Sequence, residues 1–93
     1  MKVILSPRAE LDFEAQVGWL QLHSPVAGRA AALGIVQTID LLADFPELGM
    51  VVRGEVREKA VQFGRDGFVI RYRRSGQTLI VLRIFHSRQN RLR

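Results

Sequence analysis

Two arginines and a histidine near the end of the chain have types and spacing that could act on an anion. Arg71 lies in the alternating run 68–74, and Arg83 and His86 lie in the run 78–86. If the two runs pair as strands, both guanidinium groups could hold a phosphate or a carboxylate. A histidine beside arginines could act as a general acid or base, because its pKa lies near neutrality. The simpler interpretation is a histidine hydrogen-bonded at a strand end, where it orients the following segment.

The charge of the chain is split between its two halves. Residues 1–52 carry six acidic residues against three basic ones, whereas residues 53–93 carry eleven basic residues against three acidic ones. Ten of those eleven cations are arginines, which grip planar anions in a bidentate fork. The second half is therefore predicted to meet an acidic protein, RNA or DNA, although a charged sheet face can also serve solubility alone. The candidates for contact with this target are Arg57, Arg71, Arg73, Arg83, His86, Arg88 and Arg91.

The residue types present exclude several other kinds of site. The chain has no cysteine, so disulfides, a thiol nucleophile and cysteine-based zinc sites are excluded. His23 and His86 are far apart and have no carboxylate at ligand spacing. We therefore predict no metal site and no cofactor.

The elements of the first half can be predicted from periodicity and capping signals. Residues 2–5 form a short β-rich run, which we predict to be a strand. Ser6 is a good N-cap for a helix from about Pro7 to His23, and Ser24 is an equally good N-cap for a second helix that ends near Phe45. The short connection makes the two helices an antiparallel hairpin.

The period changes from helical to alternating in the second half. A loop is predicted through Gly54, followed by strands at 56–63, 68–74 and 78–86. The predicted fold is α+β with the order β-αα-βββ, an antiparallel sheet with the helical hairpin packed on one face. We expect one domain spanning residues 1–93, and the open face of its sheet is where function is expected.

The first helix is apolar on two sides. One side holds Leu11, Ala15, Gly18, Trp19 and Leu22, and the other holds Ala9, Phe13, Val17 and Leu20. Such a helix needs two covers, of which the protein's own sheet or second helix could supply one and a partner the other. The candidates for contact with this partner are Phe13, Val17, Leu20 and Trp19, although aromatic residues at helical spacing also suit a core. No run is predicted to span a membrane, so we expect a cytoplasmic protein without a membrane partner.

The ordered motifs of the chain resemble the RelE/ParE toxin superfamily, and the ParE branch in particular. They are VILSPRAELDFE near the start, IDLLADFPELG in the middle, VREKAV and GFVIRYR in the strands, and LIVLRIFHSRQNR at the end. The resemblance spans residues 2–91, and its most specific parts are Phe45–Gly49 and Arg83–His86. It implies the toxin of a bacterial type II toxin–antitoxin pair with the β-αα-βββ fold.

The resemblance also implies two mechanisms. RelE-like members are ribosome-dependent mRNA endonucleases that use a cluster of Lys, Arg and a C-terminal Tyr or His, whereas ParE-like members lack that set and poison DNA gyrase. Arg71, Arg83 and His86 could stand in for part of a nuclease site, but Lys2 and Lys59 are the only lysines and the tail has no tyrosine. This favours gyrase inhibition without catalysis. The alternatives are mRNA cleavage and a protein-binding module that has lost its toxicity.

The partners implied by the resemblance are a cognate antitoxin, ParD-like or other, and DNA gyrase. A toxin–antitoxin hetero-oligomer is a further expectation, and sequence-specific binding of nucleic acid is not expected. The tail from His86 to Arg93 and the strand arginines are predicted to contact the target. The helical hairpin is predicted to carry the fold and the antitoxin.

Overall fold

The computed structural model describes residues 1–88, in which two helices pack on one face of a five-stranded sheet. A short 3-10 helix, Pro46–Leu48, precedes the second strand. The elements in chain order are β1 (Lys2–Leu5), α1 (Pro7–His23), α2 (Pro25–Asp44), β2 (Met50–Arg53), β3 (Val56–Val61), β4 (Phe68–Ser75) and β5 (Thr78–His86). The predicted α+β fold with a helical hairpin on one face is confirmed.

Both helices begin where their serine caps predict. The Ser6 hydroxyl accepts a hydrogen bond from the Ala9 N–H at 3.0 Å, and the Ser24 hydroxyl accepts one from the Ala27 N–H at 3.2 Å. Each such cap contributes about 1 kcal/mol of stability, because it satisfies an N–H group that the helix leaves unpaired. α2 ends at Asp44, one residue before the predicted end.

The sheet has the strand order β1-β5-β4-β3-β2. The sheet differs from the predicted one in the direction of one strand and in the number of strands. β1 pairs with β5 in parallel, so the sheet is mixed and not purely antiparallel. The predicted loop before Gly54 contains β2, which pairs with β3. This strand was missed because its residues lie between Gly49 and Gly54, which are typical of a loop, and its apolar residues do not alternate with polar ones.

The core lies between the helical hairpin and one face of the sheet. Alternation along β4 places Phe68, Ile70 and Tyr72 on one face, and all three are buried. They meet side chains from both helices and from β5. The largest of these fully buried partners are Ile35, Leu42, Leu79, Val81 and Ile84.

A β-bulge in β5 changes which side chains face the core. Arg71 lies opposite Arg83 while Tyr72 lies opposite Val81, so Leu82 is the extra residue of the bulge. Uninterrupted alternation would place Arg83 on the same face as Val81. The bulge instead turns Arg83 to the open face and keeps Ile84 in the core, which corrects the predicted alternation of this strand.

The side of α1 expected to serve a partner is the one that faces the core. Val17 is buried and Phe13 and Leu20 pack against the core, so Val17 is unavailable for docking. On the other side of the helix, Trp19 is 60% exposed and Leu22 is 85% exposed. The two-sided character of α1 was predicted correctly, but three of the four candidates for contact with a partner lie on the side that meets the core, because periodicity alone does not say which stripe meets the sheet.

α2 has the length and composition of a membrane span. It is 20 residues long with a mean hydropathy of 1.4, so by length and composition alone it could cross a membrane, although no run was predicted to do so. Its apolar character has a local explanation. One stripe of the helix, which includes Ala31, Ile35 and Leu42, is buried between α1 and the sheet, as in the core helix of a soluble domain.

The candidate binding face of the sheet

The sheet face opposite the helices carries two rows of side chains that run across the strands. In the first row each residue is the partner of the next: Met50, Glu58, Arg71 and Arg83. In the second row Arg53 lies opposite Val56, and Arg73 lies opposite Ile80. Partners across an antiparallel pair point to the same face. This face therefore collects arginines from β2, β4 and β5.

Arg71 is held in place by an acid of the neighbouring strand. Its Nε and Nη2 groups lie 2.9 Å and 2.8 Å from Oε2 of Glu58. The Glu58 side chain is only 9% exposed, and that of Arg71 is 22% exposed. A charge pair with this geometry and little contact with water fixes the guanidinium and neutralises its charge.

Arg83 is held by an acid from the first helix. Its Nε donates to Oδ2 of Asp12 at 2.8 Å, and the same oxygen accepts the Ile84 N–H at 2.9 Å. Arg8 approaches the other carboxylate oxygen at 3.4 Å. Burial alone would raise the pKa of Asp12, but the hydrogen bonds from Arg83 and the Ile84 N–H, with the charge of Arg83, hold that pKa below its ordinary value of 3.8. Asp12 thus ties α1 to β5.

Both paired arginines also cover an aromatic ring. The guanidinium carbons of Arg71 and Arg83 lie 5.2 Å and 5.9 Å from the centre of the Phe85 ring. Phe85 is 3% exposed although it points away from the helices. The two arginines therefore keep this ring out of water, a role in the fold that their cation–π geometry stabilises.

His86 lies on the other face of the sheet. It is the partner of Phe68, and the two rings meet edge to face at 6.0 Å. It borders a cavity of about 160 Å³ between the sheet and α1, and its Nδ1 accepts the Arg88 N–H at 3.2 Å. The three nuclease candidates are therefore not brought together, because His86 is separated by the sheet from Arg71 and Arg83.

Arg57 forms hydrogen bonds with the segment between α2 and β2. Its Nη1 donates to the carbonyl oxygens of Glu47 and Gly49 at 3.2 Å and 2.9 Å. The buried Tyr72 hydroxyl donates to the Pro46 carbonyl at 2.7 Å and accepts the Gly49 N–H at 2.8 Å, and burial raises the pKa of this phenol. A Cβ at position 49 would collide with the Tyr72 ring, which explains the glycine there. Arg57 is thus a structural residue here.

The remaining candidates for target contact differ in the contacts that their side chains make within the protein. Arg73 is half-buried, and its side chain makes no hydrogen bond or ion pair with any residue between 1 and 88. Arg88 is exposed and lies 3.4 Å from Asp66. Arg91 lies outside the described residues. Among the residues that are described, no three histidine or acidic side chains come together as metal ligands.

Arg53 was missed by the sequence reasoning. It lines an open cavity of about 300 Å³ on the same face, together with Val52, Val56, Arg71 and Leu82. No sequence pattern indicated this arginine, because residue 53 was assigned to a loop.

Of the four candidates for contact with a partner on α1, Trp19 alone is largely exposed. It stacks on His23 with ring centres 4.1 Å apart, and His23 Nδ1 lies 2.8 Å from the Trp19 carbonyl oxygen. Leu11 and Leu22, exposed at 62% and 85%, lie on the same side of the helix. We call Leu11, Trp19 and Leu22 the α1 strip.

Comparisons with known proteins agree on one family. Residues 3–91 match the family model described as the ParE toxin of the type II toxin–antitoxin system parDE. Toxin RelE1 of Caulobacter vibrioides is 37% identical over 91 residues, which cover 96% of each chain. Toxin RelE3 of the same organism is 34% identical over 89 residues, covering 96% of this chain and 97% of that one.

A solved structure agrees with the fold. The chain superposes on a protein of the chromosomal ParDE toxin–antitoxin system from P. aeruginosa with a TM-score of 0.73. The match covers 92% of this chain and 95% of that chain at 21% identity. Together with the family match over nearly the whole chain, these relatives establish that the protein belongs to the ParE toxin family of type II toxin–antitoxin systems, within the RelE/ParE superfamily.

Proposed function

We propose that this toxin inhibits DNA gyrase without catalysis and is neutralised by a cognate antitoxin. The observation that carries the proposal is the separation of Arg71, Arg83 and His86. A ribonuclease must move protons at the 2′-hydroxyl and stabilise a pentacovalent phosphate, which requires several groups around one point. Here the two arginines are neutralised by acids, and the histidine lies on the other face. Gyrase as the target places the action in the bacterial cytoplasm.

Ribosome-dependent mRNA cleavage is the second candidate. It is favoured by the names of the two Caulobacter relatives, both of which are called RelE toxins. A nuclease built on this chain would have to release Arg71 from Glu58 or Arg83 from Asp12 when RNA binds. A binding module without toxicity is the third candidate.

Two assays run on the same purified protein separate these candidates. The first measures supercoiling of plasmid DNA by gyrase, and the second measures translation in vitro together with cleavage of the mRNA. The proposal expects inhibited supercoiling or trapped cleaved DNA while translation continues. Cleaved mRNA with unaffected gyrase would replace it with the second candidate, and inactivity in both assays would favour the third.

The α1 strip is the proposed docking surface of the antitoxin. Leu11, Trp19 and Leu22 lie on one side of α1, which suits an amphipathic helix of the partner. Leu22→Asp should weaken copurification with the product of the neighbouring reading frame. The matched control is Val51→Asp, since Val51 is an exposed apolar residue on the far sheet edge. Equal copurification of both variants with that product would exclude the strip.

The predicted role of the tail in target contact stays a prediction, since most of it lies beyond residue 88. A chain truncated after His86 should keep antitoxin binding and lose growth arrest. A folded, truncated chain that still arrests growth would remove the tail from the mechanism and leave the open sheet face as the candidate surface.

A further inference from the structure

An open cavity of about 300 Å³ lies on the sheet face away from the helices. Its lining combines three aliphatic side chains, from Val52 of β2, Val56 of β3 and Leu82 of β5, with the arginines Arg53 and Arg71. Leu82 is the extra residue of the β-bulge, so this wall lies where the register of β5 shifts and Arg83 is turned to the open face. Bulges often re-aim a side chain beside a functional site.

Two arginines on this face have no acidic partner among residues 1–88: Arg53, which lines the cavity, and Arg73, which lies opposite Ile80. Arg53 lies opposite Val56, and the ladder that pairs Arg57 with Tyr72 continues to bring Arg73 beside Val56 on the other side. The backbones of the two arginines are thus roughly 10 Å apart, which is two strand spacings. Neither side chain has a hydrogen bond or an ion pair within residues 1–88.

The combination of aliphatic walls and unpaired guanidinium groups selects a ligand chemistry. Carboxylates suit the two arginines, and an aliphatic side chain suits the cavity between them. Single-stranded nucleic acid would need aromatic surfaces for its bases to stack on, and no wall of this cavity is aromatic. Phe85, which lies on the same face, is covered by Arg71 and Arg83. An acidic protein segment therefore fits this surface better than RNA or DNA does.

We propose that the cavity binds an acidic segment with a central aliphatic residue, belonging to the protein that this toxin inhibits. The aliphatic side chain enters between Val52, Val56 and Leu82, and the flanking carboxylates pair with Arg53 and Arg73. The proposal rests on the proposed function, because it supplies the contact through which a non-catalytic toxin would hold its target.

The first test measures binding directly with a synthetic probe. A fluorescent peptide of Asp and Glu around one leucine should bind the purified toxin, as followed by anisotropy. The double variant Arg53→Glu with Arg73→Glu should lose at least about tenfold in affinity, as expected when charge-assisted contacts are removed. The control is Arg29→Glu with Arg65→Glu, which changes the net charge equally at two exposed positions elsewhere. The control should stay within about twofold of the unaltered protein.

Two changes to the probe sharpen this test. Replacing its leucine by alanine should weaken binding severalfold, and replacing its acids by lysine should restore binding to the Arg53→Glu, Arg73→Glu variant. The proposal is overturned if both double variants lose affinity equally. It is also overturned if a single-stranded oligonucleotide of equal charge binds as tightly as the peptide and responds to the same substitutions.

The second test uses the whole target. Since the chain has no cysteine, Val52→Cys would carry a single photo-crosslinker at the cavity, and Arg29→Cys would carry one on α2 as a control. The crosslinker at residue 52 alone should capture gyrase. If the unaltered toxin inhibits gyrase and the Arg53→Glu, Arg73→Glu variant inhibits it equally, the cavity proposal fails while the proposed function stands. If the unaltered toxin leaves gyrase active yet the peptide tests succeed, the proposed function fails and the cavity's ligand chemistry stands.

Discussion

The two arginine rows on the open face contain the same residue type in opposite circumstances. Arg71 and Arg83 are held at 2.8 Å by Glu58 and Asp12, and together they cover Phe85. Arg73 has no partner among the described residues, although it is only two positions from Arg71 along β4. An excess of arginine in the sequence therefore indicates a basic region. Which of these arginines remain available for a ligand depends on the acidic residues that other helices and strands bring beside them.

The largest loss of stability is expected when Asp12, the acidic partner of Arg83, is removed. Asp12→Ala removes the acceptor of Arg83 and of the Ile84 N–H at once. Two donors left without partners in a half-buried site should cost about 2–4 kcal/mol of unfolding free energy. Urea unfolding followed by circular dichroism measures this cost. A loss below 0.5 kcal/mol would mean that water replaces the carboxylate and that the junction is not an anchor.

The second prediction compares one arginine from each row. Arg83→Ala should lower the unfolding free energy by about 1–2 kcal/mol, since it breaks the pair with Asp12 and uncovers Phe85. Arg73→Ala should change it by less than about 0.5 kcal/mol, because the half-buried Arg73 side chain has no hydrogen bond or ion pair within residues 1–88 to lose. The same urea titrations measure both variants. Equal losses would remove the distinction between the rows, and any loss of toxicity in Arg83→Ala must be compared with this loss of folding.

The third prediction concerns how the stability that Asp12 contributes changes with pH. The pKa of Asp12 is held below 3.8 in the folded protein, so the stability it contributes is fully present above its unfolded pKa of about 3.9. That contribution is lost as the pH falls through the depressed folded pKa. The difference in melting temperature between the unaltered protein and Asp12→Asn should therefore be larger at pH 7 than at pH 3. A difference that is the same at both pH values would show that the charge of Asp12 is unimportant.

The smallest expected effect comes from removing the carboxylate charge beside Arg71. Glu58→Gln keeps the shape of the side chain but removes the negative charge that faces the Arg71 guanidinium. Stability should fall by about 1 kcal/mol, and affinity for the acidic peptide should rise severalfold because Arg71 also lines the cavity. Anisotropy with the leucine-containing peptide measures the gain. Unchanged affinity would indicate that Arg71 stays fixed over Phe85 without its partner.

The parts of the fold that were predicted correctly depend on neighbours in the chain. Ser6 and Ser24 bond to N–H groups three residues ahead, and both helix starts follow from these local signals. The parts that were missed depend on distant neighbours. Which side of α1 is buried depends on where the sheet lies, and the bulge at Leu82 depends on how β5 pairs with β4. Neither leaves a short-range pattern in the sequence.

The same limit applies to the candidate site. Arg83 was chosen for its type and its strand, but its partner Asp12 is 71 positions away. Arg53 was passed over because its strand was not recognised. Composition indicated the basic half of the chain correctly, and the resemblance of its ordered motifs indicated the superfamily. The acids that neutralise the arginines are identified only by the three-dimensional structure.

The pairing of β1 with β5 ties the start of the chain to its last strand. Lys2 is opposite Thr78, and the Ser6 hydroxyl donates to the Leu82 carbonyl 76 positions away. A ribosome synthesises the chain from its N-terminus, so the helical hairpin can form early. β1 cannot pair until β5 has been synthesised. Closing so long a loop is slow compared with forming local helices. A message broken before the codons of β5 therefore yields a chain that cannot complete this sheet, and the domain is folded only after β5 has been translated.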